Sequence, residues 1–259
     1  MEIRGARVLV TGASGGLGHA IARDLAGRGA ELVLTARRTA VIEALAEELG
    51  AETVTADLTD RADVERLAGL AAEADVLVAN AGIGADKGVE EVEPADVDAS
   101  IDVNLRAPIL LATAFVQGHR ASGAAGHVVM IGSLSGLAPS PGTNMYNATK
   151  FGLRGFALSL RQDLHGSPVG LSIVEPGFIR GAGMFHDGDI DLPPGVRTST
   201  PDDVARGVAR AIERDVAEVF VAPPEMRVAS TLASVAPGLT AAVMRKVDAG
   251  GRVKGPTSS

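Results

Sequence analysis

Seven short, almost unbroken apolar runs recur along the chain, separated by longer amphipathic stretches. They are residues 6–12 (ARVLVTG), 30–37 (AELVLTAR), 51–57 (AETVTAD), 75–82 (DVLVANAG), 126–133 (GHVVMIGS), 170–177 (GLSIVEPG) and 217–223 (AEVFVAP). A strand with one wet face alternates apolar and polar residues, whereas a strand covered on both faces does not. Continuous runs therefore predict a parallel sheet with helices on both faces. The stretches between them have helical spacing. Leu17, Ile21 and Leu25 stand four apart with Gly29 beyond them, and residues 39–50 open on Thr39, carry Glu43 near the start and close on Gly50. Strand–helix alternation implies βαβ units, hence an α/β fold built on a single doubly wound, Rossmann-like parallel sheet of about seven strands. No repeat or linker interrupts this pattern before about residue 223. Residues 1–222 are expected to form one domain and residues 223–259 a helical appendage with a flexible end.

Composition removes several function classes. A net charge of -8 argues against nucleic acid as a partner, because phosphate binding needs a basic patch. With 0 Cys, disulfides and thiolate metal sites are excluded. The five histidines show no paired ligand spacing. Asp187, Asp189 and Asp191 alternate as in a calcium loop, but Leu192 and Thr198 stand where that loop needs Gly and Glu, so no metal site is expected. The start MEIRGARVLV lacks a basic segment followed by a long apolar one, and no apolar run reaches the roughly 18 residues that span a bilayer. A cytoplasmic protein is expected.

The first predicted strand runs into VLVTGASGGLGHAIA, which puts Gly12, Gly16 and Gly18 at the mouth of the first helix. Glycines there allow a tight turn and close approach of a pyrophosphate to the free N–H groups of the helix end. The second strand ends in LTARR. An acidic residue there would bind the ribose 2′-hydroxyl of NAD; Ala36 is neutral, and Arg37 and Arg38 follow. A guanidinium pairs with a 2′-phosphate, so NADP is favoured, with NAD possible.

Tyr146 is the one tyrosine of the chain, and Lys150, one of four lysines, lies four residues later. Such spacing sets both on one face of a helix. Chance would place a lysine at a given offset about once in 65 trials. A tyrosine of pKa near 10 is a poor proton donor or acceptor at neutral pH, and a neighbouring ammonium stabilises its phenolate. Ser133 stands at the carboxyl end of a predicted strand, where doubly wound folds open their ligand crevice.

The segments TGASGGLG (11–18), NAG (80–82), VNL (103–105), GS (132–133), YNATK (146–150) and PGF (176–178) follow one another in the order and spacing of the short-chain dehydrogenase/reductase family, which the chain resembles over about residues 6–222. The resemblance implies an oxidoreductase that moves a hydride between a nicotinamide and a carbonyl or alcohol. Tyr146 would be general acid in reduction and base in oxidation. Lys150 would lower its pKa and bond the nicotinamide ribose. Ser133 would orient the substrate carbonyl, and Asn104 would hold a kinked helix and a water beside Lys150. Gly12, Ser14, Gly16, Leu17 and Gly18 would surround the cofactor phosphates, and Asp57 and Leu58 would flank the adenine. Asn80, Ala81 and Gly82 would line the adenosine side, and Pro176, Gly177 and Ile179 would face the nicotinamide. One departure stands out: Gly181 occupies a position where the family often carries Thr.

Residues 181–200 read as a substrate lid, and Leu134, Leu137, Met145, Met184 and Phe185 as lining residues that favour a lipophilic substrate. Gly152 and Gly155 suggest close helix contact, within the chain or in a homodimer or homotetramer. The tail from 225 reads as two amphipathic helices broken at Pro237–Gly238, with five basic residues (Arg227, Arg245, Lys246, Arg252, Lys254) against two acidic (Glu225, Asp248). Packing over the cleft or a partner subunit is favoured over contact with a membrane. The competing functions are a catalytically silent dinucleotide-binding or regulatory protein and a membrane-associated scaffold.

Overall fold

The computed structural model describes residues 1–84, 89–140, 142–181 and 197–238. The apolar runs become β1 (Arg7–Thr11), β2 (Glu31–Ala36), β3 (Glu52–Thr55), β4 (Val76–Ala79), β5 (Gly126–Ile131), β6 (Val169–Pro176) and β7 (Glu218–Val221). They form a seven-stranded sheet in the order β3-β2-β1-β4-β5-β6-β7. Every neighbouring pair is parallel. Each strand ends short of its apolar run at the carboxyl side or at its last residue, so Gly12, Asp57, Asn80 and Ser133 lie just past the ladder.

Alternation along the strands feeds two cores. Val8, Val10, Val76 and Val78 face one side, where α1 (Gly16–Gly27), α2 (Thr39–Leu49) and α7 (Pro201–Arg214) contribute Ile21, Ile42 and Val208. Leu9 and Leu77 face the other, against Leu67 of α3 (Arg61–Glu73), Phe115 of α5 (Ala107–Ser122) and Leu153 of α6 (Asn144–Asp163). This is why β1 and β4 read as unbroken apolar runs. β3 departs from that expectation: it is an edge strand in which Val54 alone is half-buried and Glu52, Thr53 and Thr55 are exposed.

Helix α4 (Pro94–Ile101) continues through a π-helical turn (Asp102–Arg106) into α5. By length and composition the continuous helix Pro94–Ser122 could cross a membrane, but half of its apolar window is buried. Phe115 and Leu111 place it in the core. After β7, helix α8 (Pro224–Val235) buries Ser230 and Ala233 and exposes Val228, Leu232 and Val235. The expected second tail helix lies outside the described residues.

At the amino end of β5, His127 is buried; its Nε2 is 2.9 Å from Ser172 Oγ and its Nδ1 is 4.0 Å from Asp215. Burial pushes its pKa down to about 4, against the opposing pull of Asp215. The unfolded chain takes up this proton near pH 6.5 and the folded chain does not. Stability present above 6.5 is therefore lost as the pH falls toward 4, by up to about 3 kcal/mol. Denaturant titrations between pH 6.5 and 5 should show this loss, and His127→Gln should flatten it; an unchanged slope would exclude His127 as its source.

Candidate active site

Where the sheet reverses direction between β1 and β4, their carboxyl ends part and a cleft of 540 Å³ opens. Its floor at β1 is the glycine turn. Gly12 takes φ of 67°, and a Cβ on it would stand 2.6 Å from Ala81 Cα. A Cβ on Gly18 would stand 2.3 Å from the Gly12 carbonyl oxygen. Both positions therefore admit glycine and little else. Helix α1 begins after Gly15 with no side chain capping its N–H groups, so they stay available to an anion. Gly12, Ser14, Gly16, Leu17 and Gly18 all line the cleft.

Arg37, Arg38, Asp57 and Leu58 line its adenosine end. Arg38 donates to the Ser14 carbonyl at 3.1 Å, tying β2 to the glycine turn. Arg37 is 62% exposed and 4.0 Å from Asp57, so its guanidinium is largely uncommitted. A bare turn that excludes side chains, an uncapped helix end and two arginines beside it fit a dinucleotide bearing a 2′-phosphate. Asn80, Ala81 and Gly82 also line the cleft. The Asn80 side chain, however, donates to the Thr11 and Gly12 carbonyls at 2.9 and 3.1 Å. It thereby also braces the glycine turn, a part that the amino-acid sequence did not announce.

Pro176, Gly177 and Ile179 form the opposite end with Ser133, Tyr146 and Lys150. Tyr146 and Lys150 share one face of α6, with Lys150 Nζ 5.5 Å from the tyrosine ring centre. Ser133, two residues beyond β5, has extended backbone and caps a short 3₁₀ turn, and its Oγ accepts the Ser135 N–H at 3.1 Å. Lys150 is 3% exposed and donates to the Ile131 carbonyl at 2.8 Å. Burial pushes its ammonium down to about 8, and the charge of Glu175 opposes that shift.

Asn104 sits behind the cleft on the π-helical turn. Its Oδ1 accepts the Ile83 N–H at 2.8 Å, and its Nδ2 donates to the Ile83 carbonyl at 2.8 Å and to Thr149 Oγ1 at 3.3 Å. The kink implied by the resemblance is thus an extra residue in the helix, secured by one amide.

Not every expected lining residue arrives. Leu137 and Met145 do not line the cleft, and Met184, Phe185 and His186 lie outside the described residues, as does the centre of the expected lid. Leu134 does not line the cleft either, but packs against Gly177, which does: a Cβ on Gly177 would meet its Cδ1 at 3.3 Å, with Ala222 Cβ and Met226 Cε also close. Gly181 takes φ of 78°, a conformation that strains a β-branched residue, which accounts for the missing Thr. Gly152 packs on Leu105 within the chain, while a Cβ on Gly155 would meet no described atom within 4 Å. Sequence reading also missed Thr11 and Glu175, since neither a lone Thr nor a lone Glu at a strand end carries a spacing signal.

The family model for short chain dehydrogenases matches residues 6–190. The chain belongs to the short-chain dehydrogenase family. It is 40% identical over 183 residues to the NADP-dependent 3-hydroxy acid dehydrogenase YdfG of Salmonella typhi, covering 67% of this chain and 73% of that one. Among solved structures, it superposes with TM-score 0.77 and 28% identity on a short-chain dehydrogenase from Sphingobium yanoikuyae in complex with NADPH, covering 98% of both chains. It also superposes with TM-score 0.71 and 34% identity on a metagenomic short-chain oxidoreductase in complex with NADP, covering 86% of this chain and 99% of that one. The protein is accordingly an oxidoreductase of this family.

Because one amide secures the helix break, Asn104→Ala should cost about 2 kcal/mol, as the half-buried main-chain groups of Ile83 lose their partners. Urea unfolding measures this directly; a loss below about 0.5 kcal/mol would show that the π turn holds without it.

Proposed function

We propose that this enzyme reduces a carbonyl compound, or oxidises the corresponding alcohol, with NADP as cofactor. The observation that carries the reading is the convergence of Ser133, Tyr146 and Lys150 at one end of a cleft whose other end presents Arg37 and Arg38. When bound, the nicotinamide cofactor supplies or accepts the hydride. Ser133 orients the substrate oxygen with its hydroxyl. Tyr146 gives its phenolic proton to that oxygen in reduction and takes it back in oxidation. Lys150 favours the phenolate by its positive charge and holds the cofactor's ribose, while Asn104 sets the backbone behind it. The glycine turn holds the phosphates, and Arg37 and Arg38 hold the 2′-phosphate.

The substrate is proposed to be lipophilic. Its support is that the apolar side chains of Leu134, Ala222 and Met226 pack around Gly177, which lines the cleft. Among the described residues, the cations of the cleft are Arg37 and Arg38 at the far end and the buried Lys150. A second reading, a 3-hydroxy acid, follows the relative from Salmonella typhi. It requires a cation for the carboxylate from outside the described wall. Location in the cytoplasm and assembly as a homodimer or homotetramer are part of the proposal; the exposed Phe151 on α6 and Leu110 on α5 support assembly.

Tyr146→Phe keeps the ring and removes the proton donor. The variant should fold and bind NADP while turnover of a lipophilic ketone falls by about 10²–10⁴-fold. Parental turnover in a folded, NADP-binding variant would remove the tyrosine from the chemistry. Arg37→Asp should weaken NADP by tenfold or so while leaving NAD nearly unchanged, because it replaces a phosphate partner with a like charge. Fluorescence titration with both dinucleotides reads the ratio, and an unchanged preference would locate the 2′-phosphate elsewhere.

A further inference from the structure

We propose that Glu175 is a positioning residue: it clamps the Ser133 end of β5 through the main chain, and its carboxylate holds the ammonium form of Lys150 as the site is taken to alkaline pH. The proposal rests on the oxidoreductase reading only for its kinetic arm.

Glu175 stands on β6, one residue before the strand ends, and its side chain is 0% exposed. Its Oε2 accepts the Ser133 N–H at 2.5 Å. On the other side of Gly132, Lys150 donates to the Ile131 carbonyl. The two buried ionisable groups thus grip the two peptide units that flank Gly132, and both peptides belong to the strand end that presents Ser133. The glycine is what admits the carboxyl: a Cβ at 132 would stand 2.3 Å from Oε2 and 2.9 Å from Oε1. A carboxylate in so confined a place needs a reason, because an isolated buried charge is strongly disfavoured.

The charged groups around it are few. From α6 come Lys150 and, one turn later, Arg154, whose Nε is 3.9 Å from Glu175 Oε1. Arg154 is committed to Glu218 of β7 by bonds of 2.8 and 3.2 Å. Oε1 itself has no hydrogen-bond partner among the described residues. Burial pushes Glu175 up to about 8, opposed by the Ser133 N–H and Lys150, and Lys150 comes down to the same range. Two neighbours that titrate together share their protons. When the carboxyl gives up its proton, the charge it acquires holds the proton on Lys150. Deletion of that charge therefore lets Lys150 neutralise at lower pH.

The chain's four lysines make the test direct. With ¹³C at lysine Cε, NMR shows four resonances, and Lys150→Arg assigns the one of interest. In Glu175→Gln the Lys150 midpoint should fall by about one pH unit or more, and in Glu175→Asp, which keeps a charge, by less. An unchanged midpoint in a folded glutamine variant overturns the proposal, whatever the activity. If that variant does not fold, Tyr146→Phe, which removes the other titrating neighbour of Lys150, decides: its Lys150 resonance should still follow a two-step curve, and a single-site curve overturns the proposal. In the kinetic arm, the alkaline limb of ketone reduction should move to higher pH in Glu175→Gln, because a Lys150 that neutralises earlier no longer favours the Tyr146 phenolate. A merely structural loss would lower the rate equally at every pH and would also overturn the counter-ion role. Should no ketone be turned over by the parent, the function reading fails while the titration still judges Glu175.

Discussion

Between β1 and β4 the sheet reverses its chain order, and the carboxyl ends of the two strands are tied together there by one hydroxyl. Thr11 Oγ1 accepts the N–H groups of both Asn80 and Ala81, at 3.0 and 3.1 Å. Asn80 answers by donating to the Thr11 and Gly12 carbonyls. These bonds continue the pairing of two strands after their ladder has stopped, and they fix the glycine turn relative to the rest of the cleft. The glycine turn is built on β1, and Ser133, Tyr146 and Lys150 are carried by β5 and α6. The Thr11–Asn80 joint sets the distance between those halves.

The reacting end is governed by a different economy. Helix α6 presents Tyr146, Lys150 and Arg154 at successive turns, with Lys150 wholly inside the protein. Charges so placed lose hydration and keep it lost unless partners compensate. Here compensation is spread over a main-chain carbonyl, the Glu175 carboxyl and the Arg154–Glu218 pair. Spreading it in this way leaves Lys150 near its switching range instead of locked in one state, which suits the part proposed for it beside Tyr146.

Much of this was legible in the amino-acid sequence, for identifiable reasons. Burial on both faces wrote β1, β4 and β5 as apolar runs, and only glycine satisfies the geometry at positions 12 and 18. The four-residue interval between Tyr146 and Lys150 states a helix face outright. What failed to show was of another kind. β3 is an edge strand, so it kept exposed polar residues where full burial was expected. The apolar runs also continued past the ladder, because residues such as Ala81 and Gly82 face a cleft instead of a neighbouring strand. The π turn leaves no mark in periodicity, since a single inserted residue among apolar neighbours resembles ordinary helix. Asn80 and Glu175 act through main-chain groups, and no side-chain pattern records which main-chain group a side chain will reach.

The close approach of Glu175 to Gly132 has a consequence for how the sequence can drift. Positions 132 and 175 are 43 residues apart in the chain, yet they do not vary independently, because any side chain at 132 collides with the carboxyl now in place. Substitution at 175 is open while 132 remains glycine, but the reverse order is closed. Descent along this lineage therefore has a direction: the glutamate must shorten or leave before the glycine can change, and once a larger residue has settled at 132 the route back to glutamate is barred.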